Sequence, residues 1–502
     1  MRHRSLALSL PALFALSFHA SADVKPNGLF TDSAVLQQKI AVPVWGDAKT
    51  GERVTVKFQN QTVSTTAKDG RWKVVLKPMK AGGPYDMTIS GDNTITLKNI
   101  LVGEVWLASG QSNMQWDVRN SYDPGADIAG SKDPMYRLYT VPRRPLDQPT
   151  TDVDAKWEEC GPETVPGFSA VAYYFGRDLR KARNVPVGMI STNVGGTPAE
   201  AWTSREVLWA DPELKSILTS YADRLGNFEK AMLDHSLAET RAKAKGEAQP
   251  KAPQNNPANY QRPCGLYNAM IAPLVPFAIS GAIWYQGESN AGAAYQYRKL
   301  FPAMITNWRK DWNQGDFAFL FVQLAPFLKI NPEPMDSNWA ELREAQLMTT
   351  KNTAKAGMAV ITDVGDEVDI HPKKKEPVGA RLALAARAIQ YGEKVEFSGP
   401  EYHSMSLDGN KVVLTFTHGK GISTSDGGDP KGFTIAGPDR KFYNAQAKIQ
   451  GGKVVVWCDN VVSPAAVRYG WANYPVVNLQ NGIHLLASPF RTDDWPITTG
   501  PR

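Results

Sequence analysis

The sequence predicts an α/β chain: a central domain with a mainly parallel sheet sandwiched by helices, flanked on both sides by β-rich, sandwich-like regions. Three observations carry this reading. Residues 23–100 alternate apolar and polar positions with a period of two, the pattern of half-buried strands. Between 101 and 392, short apolar runs alternate with helical patterns. From 393 to 502 the two-residue alternation returns. At 502 residues the chain also exceeds what one typical core accommodates.

In chain order, residues 1–22 come first. Met1-Arg2-His3-Arg4 is positive, residues 6–18 are apolar apart from Ser and Pro, and Ala20-Ser21-Ala22 is a small-x-small cleavage pattern. The stretch reads as a signal peptide, so the chain is expected to be exported, to the periplasm or beyond. Residues 23–100 form the first β region. Strands are expected over 54–58 and 72–76, joined by a hairpin turn at Lys68-Asp69-Gly70-Arg71. The run 87–97 repeats the alternation.

The central domain, 101–392, supplies apolar strands over 105–108, 187–192, 281–284, 317–323 and 359–363. Helical patterns cover 170–181, 297–311, 339–349 and 378–391. A polar helical insertion runs from about 204 into the Pro- and Asn-rich residues up to 262. In the last region, 411–417 and 453–457 read as strands.

Composition excludes several classes. The formal charge of +6 falls to about +4 once Arg2 and Arg4 are set aside, too small and dispersed for a nucleic-acid partner. Lys373-Lys374-Lys375 is followed by Glu376 and reads as a solvated loop. After residue 22 no apolar run is long enough to span a membrane. Three cysteines, Cys160, Cys264 and Cys458, allow one disulfide and one free thiol but no disulfide scaffold. No metal-ligand spacing is present, so no metal or cofactor is expected.

Ligands of open α/β sheets bind beyond the C-terminal ends of strands. Four segments at such ends carry chemistry. Gly110-Gln111-Ser112-Asn113-Met114 places a hydroxyl in a turn, where a base can activate it. Asn193-Val194-Gly195-Gly196-Thr197-Pro198 lets backbone N–H groups approach a ligand, as an oxyanion hole requires. Trp284-Tyr285-Gln286-Gly287-Glu288-Ser289-Asn290 adds side-chain amides as oxyanion donors and a carboxylate, Glu288, that reads as structural. Asp363 to Pro372 contains His371, the one histidine that follows an α/β strand and has carboxylates beside it. Residues two apart in an extended stretch point the same way, so Asp369 can orient the imidazole, with Asp366 and Asp363 as rivals. Trp116, Trp202 and Tyr285 can stack on sugars, although core packing is the commoner role for any of them.

Taken together, these stretches resemble the sialate O-acetylesterase family, a branch of the SGNH hydrolases that includes bacterial carbohydrate acetylesterases. The matching segments are 103–114, 195–202, 266–273, 283–290, 369–372 with 378–382, and 467–473 with 488–493. The resemblance implies Ser112 as nucleophile and His371 as base. It implies the Ser112 and Gly195 N–H groups as oxyanion donors, and Gln286 as the side-chain donor with Asn290 as its alternative. SGNH enzymes usually carry the acid three residues before the histidine. That position is Val368 here, which leaves Asp369 as the choice and a Ser–His dyad as the alternative. The implied activity is serine-dependent removal of acetyl groups from O-acetylated sugars, sialic acid or plant polysaccharide. Two other readings are an inactive glycan-binding protein and a lipid esterase or thioesterase of the same superfamily.

Overall fold

The computed structural model describes residues 23–501; the signal-peptide expectation for 1–22 lies outside them. The core is a sheet whose central path runs, in spatial order, Trp157–Cys160, Asp133–Thr140, Val187–Asn193, Thr94–Gly110, Gly281–Tyr285, Ala318–Val322 and Ala356–Ala359. All neighbours on this path are parallel except the first pair. The inner strands Val187–Asn193, Gly281–Tyr285 and Ala318–Val322 are buried at every residue, which is why they read as continuous apolar runs.

The pleat sends alternate side chains to opposite faces. Trp106, Ala108, Ile283 and Tyr285 join one core cluster with helices Ala170–Arg183 and Glu376–Ile389. Val105, Leu107, Trp284 and Phe319 face the other cluster, which includes helix Ala294–Trp312. Helices therefore cover both faces, as the sequence pattern predicts. The edge strand Trp157–Cys160 and its neighbour Asp133–Thr140 escape the sequence reading. Asp133–Thr140 carries Arg137, a buried charge paired with Glu159 of the edge strand.

In the first β region the expected hairpin is replaced by a different pairing. A further strand, Gln61–Thr66, intervenes and pairs with Arg53–Phe58, while Arg71–Leu76 pairs with Val42–Asp47. Its sequence, Gln-Thr-Val-Ser-Thr-Thr, has no fully buried face to betray it. The turn itself is real: Asp69 and Gly70 have φ of 50° and 78°, as Asp-Gly turns require.

Strand Thr94–Gly110 is 17 residues long and crosses the boundary drawn at 100/101. Its first part pairs with Gly82–Ser90 in the β region, and its second part lies between Val187–Asn193 and Gly281–Tyr285. Residues 204–262 include the helices Arg205–Ala210 and Pro212–Lys245, in accord with a helical insertion. The last region contributes two four-stranded sheets. The strand expected at 359–363 is displaced: it spans Ala356–Ala359, and Asp363 lies in a turn.

All three cysteines are free, so the disulfide allowed by their number does not form. Burial pushes the Cys160 and Cys264 thiols up to about 12. Among the described residues, no helix is long and apolar enough to cross a membrane, and no group of three His, Cys, Asp or Glu is arranged to hold a metal.

Candidate active site

Three strand ends converge on one place. Gly110 closes the central strand with φ of 140°, and a Cβ there would meet the Tyr285 carbonyl oxygen at 2.2 Å. Only glycine lets the chain turn this close to its neighbour. The next residues, Ser112–Gln115, make a single helical turn. Ser112 is its first residue, a position whose N–H has no acceptor within the helix.

The Ser112 hydroxyl lies 2.9 Å from His371 Nε2. On the far side of the ring, Nδ1 is 3.1 Å from Asp369 Oδ1, and the same oxygen accepts the His371 backbone N–H at 2.9 Å. Trp116 stacks on the imidazole, with ring centroids 5.3 Å apart. The rival carboxylates are engaged elsewhere. Asp366 accepts the backbone N–H groups of Val368 and Asp369, which hold its carboxyl below the usual range. Asp363 forms a two-pronged pair with Arg381, both contacts at 2.7 Å.

Gly195 stands beside the serine: a Cβ added to it would lie 3.3 Å from that of Ser112. Its N–H donates to the side-chain carbonyl of Gln115 at 2.7 Å. The structure thus brings together Ser112, His371, Asp369 and Gly195.

It does not bring Gln286. That side chain is fully buried, donating to the Thr197 carbonyl and to Asn290 Oδ1 and accepting from the Tyr297 hydroxyl. Its expected role as oxyanion donor is corrected to a structural one, because both ends of the amide are consumed inside the protein. Asn290 is committed as well: Oδ1 accepts from Ala199 N and Gln286, and Nδ2 donates to Glu200 at 2.9 Å. Trp202 and Tyr285 are core residues.

Sequence reading missed two contributors. Gln115 lies three residues after Ser112 and accepts the Gly195 N–H. Lys375, assigned to a solvated loop, is 1 % exposed and donates to Asn113 Oδ1, while Lys373 and Lys374 are exposed as expected. Glu288 is structural, as read: it accepts from Asn113 Nδ2 at 2.6 Å, and burial pushes its carboxyl up.

A cleft of about 500 Å³ adjoins the site, lined by Glu200, Tyr221, Arg224, Asn259, Arg262 and Ser289 among others. Two hydrogen bonds link it to residues next to Gly195 and Ser112. Gln261, which lines it, donates to the Gly196 carbonyl, and Ser289 N donates to Gln111, the residue before Ser112.

Residues 254–388 match the family described as carbohydrate esterase, sialic acid-specific acetylesterase. The human sialate O-acetylesterase is 30% identical over 453 residues, covering 82% of this chain and 80% of that protein. The chain belongs to the sialate O-acetylesterase family. The rat member is 29% identical over 490 residues, 89% of each chain. The crystal structure of a carbohydrate acetylesterase from Xanthomonas citri superposes with a TM-score of 0.82 at 37% identity, covering 94% of this chain and 100% of that one. As a member of this family the chain is an esterase, a carboxylic ester hydrolase. Because the match extends over nearly the whole chain, the flanking β regions are as much part of the likeness as the central sheet.

Proposed function

We propose that this esterase removes O-acetyl groups from carbohydrates by an SGNH-type serine mechanism. The observation that carries the reading is the 2.9 Å contact of Ser112 Oγ with His371 Nε2, backed by Asp369 on Nδ1. His371 takes the hydroxyl proton as Ser112 Oγ bonds to the acetyl carbon. The carbonyl oxygen becomes an oxyanion facing the Ser112 and Gly195 N–H groups, where the acyl oxygen displaces the Gln115 side chain from Gly195. The imidazolium returns its proton to the sugar oxygen as the C–O bond breaks. Water then repeats the sequence on the acetyl-serine and releases acetate. Neither Gln286 nor Asn290 has a role here. An organophosphonate ester that labels Ser112, and fails to label a Ser112→Ala enzyme, checks the nucleophile. Labelling of another residue sinks the assignment.

The adjoining cleft supports a substrate class. Among the described residues Arg224 makes no ion pair, and Arg262 pairs with the exposed Asp147 at 3.2 Å and donates to the Ala258 carbonyl at 3.4 Å. Two cations against the single carboxylate of Glu200 give the cleft a net positive lining, which suits an O-acetylated acidic sugar such as sialic acid better than a neutral plant polysaccharide. The expected result is that Arg224→Ala raises KM for acetylated sialic acid about tenfold, the worth of one exposed charged hydrogen bond, and leaves acetyl-xylan hydrolysis unchanged. Equal loss on both substrates refutes the acidic-sugar reading. The same proposal has the enzyme exported. A mature chain starting at Asp23, read by mass, supports export; a cell-bound product that retains residues 1–22 argues against it.

A further inference from the structure

Lys375 is a buried cation that the acetyl-transfer scheme leaves unused. Its ammonium donates to Asn113 Oδ1, and Asn113 is itself fully buried. The Asn113 amide nitrogen donates to Glu288 Oε1 at 2.6 Å and to the Ile370 carbonyl at 3.0 Å. One carboxamide, on the residue after the nucleophile, therefore ties together the serine turn, the 288 turn and the histidine loop.

The two ends of an amide differ little in shape, so only its partners decide which way it faces. Here the Ile370 carbonyl, Lys375 in its charged form and Glu288 in its ionised form all select the same orientation. An ammonium can only donate; a carboxylate and a carbonyl can only accept. With Lys375 on Oδ1, both amide hydrogens are directed at Glu288 and Ile370, and Ile370 immediately precedes His371. The charged and titratable groups around Lys375 are Glu288, Asp369, His371 and Tyr285. Its Nζ lies 5.8 Å from the ring centroid of Trp116, which stacks on His371, and 5.3 Å from that of Tyr285. Burial pulls the ammonium down to about 7 against the attraction of Glu288 and Asp369. A methionine fills similar volume without that desolvation cost, so packing alone does not account for a lysine here.

We propose that Lys375 is a positioning residue for the Ser112–His371 couple: by orienting the Asn113 carboxamide it fixes the Ile370 carbonyl, and with it the imidazole, at hydrogen-bonding distance from the serine hydroxyl. The proposal rests on the serine reading above. Its rival is plain charge compensation, in which Lys375 serves only to neutralise Glu288.

The two separate in four variants, assayed on a small activated acetate ester with thermal melting in parallel. Lys375→Met lowers kcat on the order of 100-fold, the cost of an ångström-scale misplacement, while KM moves less than about threefold. Lys375→Met/Glu288→Gln removes both charges. It recovers the melting temperature but stays slow, because the Asn113 amide still lacks its donor-only partner. Asn113→Ala shows the same kcat deficit at unchanged KM. Wild-type kcat in the double variant overturns the proposal in favour of charge compensation. Should the double variant not fold, Asn113→Ala decides, and wild-type kcat there overturns it equally. Ser112→Ala is the control: wild-type activity in that enzyme removes the serine reading itself, a failure distinct from an active double variant.

Discussion

Ser112→Ala is expected to lower kcat for acetate release by roughly 10⁴-fold or more, the scale of loss when a catalytic serine is removed. The fold should not notice. Among the described residues the only side-chain hydrogen bond the Ser112 hydroxyl makes is the one to His371, and the residue is partly exposed, so its loss uncovers no buried polar group. Melting temperature and KM should therefore hold while turnover collapses. The residual rate is informative as well. Backbone N–H groups and the cleft survive the substitution, so some acceleration over water should remain. A Ser112→Ala enzyme that keeps even a tenth of wild-type turnover means that the nucleophile lies elsewhere.

The second large effect concerns the imidazole and its carboxylate. His371→Ala should fall as far as Ser112→Ala, and the combined variant no further, because the two residues act as one device. Asp369→Asn should cost less, about 10²- to 10³-fold. The reason is in the geometry. The Asp369 side chain is 44% exposed, so water screens part of its stabilisation of the imidazolium. Its Oδ1 also accepts the His371 backbone N–H, a bond that an asparagine oxygen can keep. What the neutral amide cannot supply is the negative charge that stabilises the imidazolium. Turnover in Asp369→Asn within threefold of wild type, by the same kcat measurement, reduces the triad to a Ser112–His371 dyad. A loss equal to that of His371→Ala shows that the exposed carboxylate is worth as much as a buried one.

The sequence shows the positions of Ser112, Gly195 and His371 because strand ends are recognisable and a parallel sheet gathers them at one edge. Side-chain direction is harder to read, and Gln286 illustrates it. An amide at a strand end looks available. Yet Trp284, two residues earlier, packs among Trp202, Phe301 and Trp308, and a period of two sends residue 286 to the same interior side. That signal was present and outweighed by the attraction of a polar residue near the site. Lys375 is the converse case. Three lysines in a row look solvated, but 375 precedes the buried residues Val378, Gly379 and Leu382 by three, four and seven positions. Helical spacing already places it on the inward face. The strands Gln61–Thr66 and Asp133–Thr140 are illegible for another reason. Both carry polar residues where hydrophobic alternation is the only cue, and pairing with distant partners settles their conformation.

The strand Thr94–Gly110 has a consequence for how this enzyme can be altered. Its first residues are held by Gly82–Ser90 and its last residues, which end two positions before Ser112, by Val187–Asn193, so both ends of one continuous backbone are clamped. A residue added or deleted near the middle cannot be absorbed in a loop, because there is none. It would rotate every later side chain to the opposite face and carry the hydroxyl away from the imidazole. The N-terminal β region thus acts as a ruler that sets the nucleophile's depth. Shortening or exchanging that region amounts to editing the active site from some distance away.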